Sequence, residues 1–306
     1  MEDIAPLEIT DSATGAVLVR NGVTLALFLD RRVHECSDAL IQAFDLFLAS
    51  VPADALTWAV VSATSEEWRP VDASVIARIR ESMEPAGARK RKLTAFRIND
   101  FAGAAPQYGF TLADRYKDKP DSMTLVQMSF PMHAVDAGHA DGTCDFVGRV
   151  AALLSPVAGY CAPSLLQADA HQSEAFERIR GLALRYPGYD VAMNDLTRLR
   201  LGPRVRGARW ITLLGAALLE SAGGFELFRK ALPVEMEMSQ AGATTLIRAG
   251  RTPELGDTNR QLETPLLRAV ARVLEPITLF REAKMLLYLA NFDEDLLDRW
   301  ERRFLD

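Results

Sequence analysis

The segment Glu282-Ala283-Lys284 holds the residue types of a carboxylate-x-lysine half-site, the pattern with which paired carboxylates can hold magnesium while a lysine steadies developing charge. That chemistry wants an aspartate on a preceding strand. Leu279 to Leu289 reads equally as a helix with an ordinary Glu/Lys surface, so a structural role is expected. A hydrolase nucleophile needs a tight GxSxG turn, or a cysteine beside a base and oxyanion donors, and neither pattern occurs. His34, His133, His139 and His171 are scattered without HExxH or another close ligand spacing, and Cys36, Cys144 and Cys161 form no CxxC pair. The histidines are expected at the surface or in hydrogen bonds, and the cysteines as small buried apolar residues. Gly223-Gly224 and Ala249-Gly250 make neither GxGxxG nor a phosphate loop, so no nucleotide, metal or other cofactor is expected.

Two polar features suit binding. Arg198, Arg200, Arg204, Arg206 and Arg209 form the densest basic run, able to grip phosphate or an acidic patch. Without aromatic residues between them for base stacking, the expectation is a solvated loop. Gly256-Asp257-Thr258-Asn259-Arg260 consists of turn formers whose side chains fasten backbone amides. It is either a structural loop or, with Glu254, a rigid polar patch of Glu254, Asp257, Asn259 and Arg260 that meets a partner. Trp68, flanked by charges in Ser65-Glu66-Glu67-Trp68-Arg69-Pro70, is a candidate interface aromatic. Trp210 is assigned to the core.

The elements that position these residues follow from periodicity. Val17 to Leu29 alternates and is broken at Asn21-Gly22, a hairpin signal because both residues tolerate positive φ. Val33, Cys36, Leu40, Ala43, Phe44, Phe47 and Leu48 recur at three and four, predicting a helix from Val33 to Val51. A strand from Leu56 to Ser62 follows, then a helix capped by Asp72 and ended by the Pro85 to Gly87 breaker. Strands are predicted at Lys92 to Ile98, Tyr108 to Leu112 and Met123 to Met132, with Arg89-Lys90-Arg91-Lys92 a solvated loop.

Ala134 to Gly142 is polar and suits a connection between lobes. Beyond it, helices are expected at Phe146 to Leu154, Ser173 to Tyr186, Ala216 to Ala222 and Phe225 to Leu232, and strands at Gly159 to Leu166, Arg209 to Leu214, Val234 to Met238 and Thr244 to Ile247. Pro187-Gly188 stops the second of these helices, and Gln240-Ala241-Gly242 joins the last two strands. Thr264-Pro265 places a capping side chain before a first-turn proline, opening a helix that buries Leu266, Leu267, Val270, Val273 and Leu274. Asp293 to Phe304 is an amphipathic terminal helix. The order predicts an α+β protein of two similar packed lobes, 1–133 and 134–306, each a mainly antiparallel sheet with helices on one side. Their similar element order hints at duplication without a residue-level repeat.

The chain has 306 residues, 49% apolar and 25% charged, which are ordinary globular values. Its 35 basic and 41 acidic residues give a net charge of −6, opposite in sign to the field that nucleic-acid binding favours. The acidic start Met1-Glu2-Asp3-Ile4-Ala5-Pro6 lacks a secretory pattern, and no stretch has the apolar length of a membrane span. The expected compartment is the cytoplasm, where free thiols stay reduced.

The segments Arg209-Trp210-Ile211-Thr212-Leu213-Leu214-Gly215, Ile247-Arg248-Ala249-Gly250 and Gly256-Asp257-Thr258-Asn259 resemble the signature of the type VI secretion immunity family, long catalogued as a domain of unknown function. The likeness is strongest from Gly207 to Pro276. It implies a cytoplasmic binding protein, not an enzyme, whose partner is a cognate type VI effector, a nuclease toxin, which it neutralises in a stoichiometric complex. An acidic inhibitor would meet a basic nuclease groove with favourable steering. A catalyst with an unrecognised site and an adaptor of the secretion apparatus stay open as alternatives. So do an active-site plug, an assembly or allosteric block, and any oligomeric state.

Overall fold

The computed structural model describes residues 6–62, 67–90, 93–168, 172–191, 193–280 and 292–305. Its strands are β1 (Glu8–Thr10), β2 (Val17–Leu29), β3 (Trp58–Val60), β4 (Arg69–Pro70), β5 (Ala95–Asn99), β6 (Gly109–Ala113), β7 (Thr124–Pro131), β8 (Ala158–Gln167), β9 (Asp190–Val191), β10 (Ile211–Gly215), β11 (Glu237–Ala241) and β12 (Thr244–Arg248). The helices are α1 (Ser37–Ser50), α2 (Ala73–Met83), α3 (Pro85–Lys90), α4 (Ala140–Leu154), α5 (Gln172–Arg185), α6 (Asn194–Thr197), α7 (Ala216–Ser221), α8 (Gly224–Ala231), α9 (Pro265–Leu274) and α10 (Glu294–Glu301).

The class is α+β, and among the described residues every strand pairing is antiparallel except β8 with β9. The strands of 1–133 and 134–306 join into one sheet of order β11-β12-β10-β8-β2-β7-β6-β5-β3-β4. The seam is the pairing of β2 with β8, from Val19 opposite Gln167 to Phe28 opposite Ala158.

That seam explains why β2 runs straight through Asn21-Gly22, where the sequence predicts a hairpin. A Cβ on Gly22 would stand 2.5 Å from Leu166 Cδ1 and 2.8 Å from the Phe130 carbonyl oxygen, so glycine here admits the strands on both sides. The Asn21 side chain reaches distant segments, accepting from the Leu7 amide at 2.9 Å and donating to the Tyr189 hydroxyl at 3.0 Å.

Alternation along the central strands sends side chains to opposite faces. Leu25 and Leu27 of β2 join a core with α1, α2, α4 and α5, while Ala26 and Phe28 join a second core with α7, α8 and α9. Helices of the C-terminal half thus pack on both faces, where the sequence predicts one side.

Other differences are local. α2 ends at Met83, before Pro85 as expected, and Pro85 then opens a separate short helix, α3, because proline suits a first helical position. Arg89 and Lys90 form its last turn rather than a loop. The expected connection Ala134 to Gly142 gives its final residues to α4. The strand expected at Val234 to Met238 lies further on, as β11, with Gly242 at φ +60° in the hairpin turn. Cys36 and Cys161 are buried and Cys144 is half-buried, all as free thiols. Burial pushes the Cys36 thiol up to about 11.

Candidate functional site

The loop that follows β12 is held from several directions. Asp257 pairs with Leu262 through two backbone hydrogen bonds of 3.0 Å, closing residues 257–262 into a small ring. Inside it, Asp257 accepts from the Asn259 amide at 3.0 Å and Gln261 turns the chain at φ +56°. Arg185, at the end of α5, grips the Asp257 carboxylate with both arms, Nε at 3.1 Å and Nη2 at 2.9 Å. The Arg185 hydrogen bonds hold the Asp257 carboxyl below the usual carboxylate range.

Glu254 fastens the other end of the loop. Its carboxylate accepts from the Leu266 and Leu267 amides at 3.0 and 3.3 Å, and so caps α9, a task the sequence assigns to Thr264. A carboxylate at a helix N-terminus satisfies amides that lack intrahelical partners. Burial raises the Glu254 pKa, against the lowering effect of those two amides.

Beneath the loop, Gly188 donates its amide to the Leu255 carbonyl at 2.8 Å. A Cβ there would lie 2.0 Å from the Glu254 carbonyl oxygen and 2.6 Å from Leu255 Cα. Gly188→Ala is expected to cost about 1–3 kcal/mol by overpacking and to push residues 254–256 outward. Hydrogen exchange should quicken at the amides of 254–262 and stay unchanged in β7; equal protection in both would contradict the packing described.

The loop forms one wall of a groove of about 780 Å³, whose other walls come from Pro6–Glu8, Val135–Ala137 and the Arg185–Tyr189 turn. Glu254, Asp257 and Arg260 line it, and Asn259 is exposed on the same loop. Trp68 lies outside the groove lining, just before β4, at the opposite end of the strand order from β11. It is half-buried, with the Arg97 guanidinium 5.5 Å from its ring centroid. The structure therefore gathers four of the five sequence-derived contact residues and leaves Trp68 apart.

The sequence reading missed Leu262, which is 57% exposed beside the exposed Glu263, and Arg185, which holds the Asp257 carboxylate. A leucine in a polar stretch gives no signal of its exposure; only the ring closed by Asp257 turns it outward.

The basic run is only partly the solvated surface expected: Arg200 is exposed and Arg204 half-buried, while Arg198 is buried. Arg206 and Arg209 are buried against Asp190, which is fully buried on β9. His139 bonds Asp136 at 2.7 Å on the surface, and His133 is exposed beside it. His171 and Glu282-Ala283-Lys284 lie outside the described residues. Among the described residues no group of three or more His, Cys, Asp or Glu could hold a metal, and no helix is long and apolar enough to cross a membrane.

Comparison with known proteins gives a consistent picture. A family model described as type VI immunity for VRR-NUC matches residues 39–304. Among solved structures, the Pseudomonas aeruginosa T6SS protein PA0821 is similar in fold, with a TM-score of 0.79 and 18% identity, covering 97% of this chain and 87% of that one. No curated protein matches the chain.

Proposed function

The chain belongs to the family of type VI immunity proteins for VRR-NUC, and from that membership we propose that it neutralises a VRR-NUC nuclease effector by stoichiometric binding in the cytoplasm, without turnover of its own. The observation that carries the reading is the span of the match, 39–304, which takes in β3 to β12 and the loop after β12. The proposed contact residues are Glu254, Asp257, Asn259 and Arg260, with Trp68 in a second patch. Asp257 is nearly buried and holds Arg185, so its part is to fix the loop, while Asn259 and Arg260 meet the partner. The proposed partner is protein alone, without nucleic acid. The net charge of −6 supports this.

Co-expression with the effector encoded beside it in a sensitive bacterium tests the reading. Rescue of growth, with the two proteins purifying together, is expected. Continued killing at excess immunity protein would sink it. A catalytic alternative predicts instead that the purified chain alone, with divalent metal present, degrades nucleic acid or the effector over many turnovers.

A further inference from the structure

We propose that the groove beside the Asp257–Leu262 ring receives a cationic segment of the effector, with Leu262 as its apolar anchor; the inference rests on the effector-binding reading above. The anchor comes first. Leu262 is 57% exposed, yet its backbone is fastened on both sides of the residue pair to Asp257. An exposed leucine on a pinned loop has little ordering entropy left to lose when a partner covers it. Leu184, 37% exposed on the last turn of α5, extends the apolar surface, since the Thr258 hydroxyl of the ring meets the Leu184 carbonyl.

The charge of the walls then chooses the partner. Five carboxylates line the groove (Glu8, Asp136, Glu254, Asp257 and Glu263) against two guanidinium groups, Arg185 and Arg260. Arg185 and Asp257 are committed to each other, and Asp136 meets His139 at 2.7 Å, so Glu8, Glu254 and Glu263 set the excess of acid. Glu8 is met from outside the lining by Arg20 at 3.3 Å. Glu254 is half-buried and capping α9, and a cation brought by the partner would offset the cost of burying it further. Glu263 is exposed on the rim beside Leu262. An apolar centre with an acidic rim fits a lysine- or arginine-bearing segment that also offers an apolar side chain. A groove of about 780 Å³ has room for several such side chains.

The test uses the full chain and its purified effector. Leu262→Asp and Glu263→Arg alter exposed side chains, so both should melt with the wild type. Leu262→Asp is expected to weaken the complex about thirty-fold or more, as loss of a central anchor does. Glu263→Arg should slow association, flatten its dependence on salt, and be rescued by a lysine- or arginine-to-glutamate change in the effector segment. Wild-type affinity in both variants would overturn the groove and leave the immunity reading standing. A wild-type chain that fails to bind the effector overturns both. If Leu262→Asp converts a wild-type dimer to monomer with effector affinity intact, the groove joins two copies of this chain and the proposal falls.

Discussion

Replacing Asp190 with alanine should destabilise the protein by about 3–5 kcal/mol, because it leaves buried guanidinium groups without their carboxylate. Asp190 is wholly buried. Arg209 Nη2 donates to one of its oxygens at 2.7 Å, the Tyr160 hydroxyl donates to the other at 2.7 Å, and Arg206 Nη1 stands 3.7 Å from the second. Arg206 is further held by the Val191 carbonyl at 2.7 Å and Asn194 Oδ1 at 3.2 Å, and Arg209 by the Ala208 carbonyl at 2.7 Å. These neutral acceptors cannot replace a full negative charge. Urea unfolding of the variant should show a lowered midpoint; a loss under 1 kcal/mol would mean that water reaches the cluster.

The same aspartate sets an acid dependence. Burial alone would raise its pKa, but Arg206 and Arg209 outweigh that and hold it well below the ordinary 3.8. A depressed carboxylate contributes stability that is complete above its unfolded pKa and fades as pH falls through the folded one. The gap between wild type and Asp190→Ala should therefore stay constant above pH 3.8 and narrow below it. A gap that instead widened on acidification would reverse the sign of the assignment.

Local pattern was enough to find most elements and to place Trp210 in the core, where it is 1% exposed. The helix over Val33 to Val51 appears as a 3-10 turn followed by α1 because its apolar spacing is decided within the segment. What stayed illegible depends on distant partners. Asn21-Gly22 carries a turn signal, and only the arrival of β7 and β8 on its two sides makes it mid-strand. The arginine run looked solvated because Asp190, its counter-charge, sits nineteen residues before Arg209 on a two-residue strand with no apolar period. Turn chemistry marks the loop that carries Glu254, Asp257, Asn259 and Arg260, yet the groove needs α5 and β1 to give it walls, and no local pattern reports that convergence.

Phe110→Ala is expected to cost about 3–5 kcal/mol, the range for emptying a buried phenylalanine site that cannot collapse. Phe110 on β6 is fully buried, with ring centroids 5.1 Å from Phe44, 5.4 Å from Phe47 and 5.7 Å from Phe96. Phe44 and Phe47 come from α1 and Phe96 from β5, so the ring at 110 ties the helix layer to the sheet at two points and stacks on the neighbouring strand at a third. Phe96 cannot move inward without disturbing the β5–β6 ladder from Ala95–Ala113 to Asn99–Gly109, which is why the cavity should persist on the sheet side. Phe110→Leu should cost less, because it keeps much of the apolar volume and forfeits mainly the ring contacts, worth about 0.5–1.5 kcal/mol per pair. Urea midpoints should fall for both variants with the slope unchanged. The four rings lie in the core with α1 and β5–β7, and none of them lines the groove beside Leu262, although Val135 and Tyr189 of the same core do. The folded Phe110→Ala variant should therefore bind the effector with wild-type affinity while unfolding at lower urea, the reverse of the behaviour expected for Leu262→Asp. If Phe110→Ala weakens binding as strongly as it weakens the fold, recognition extends through the sheet and cannot be confined to one loop.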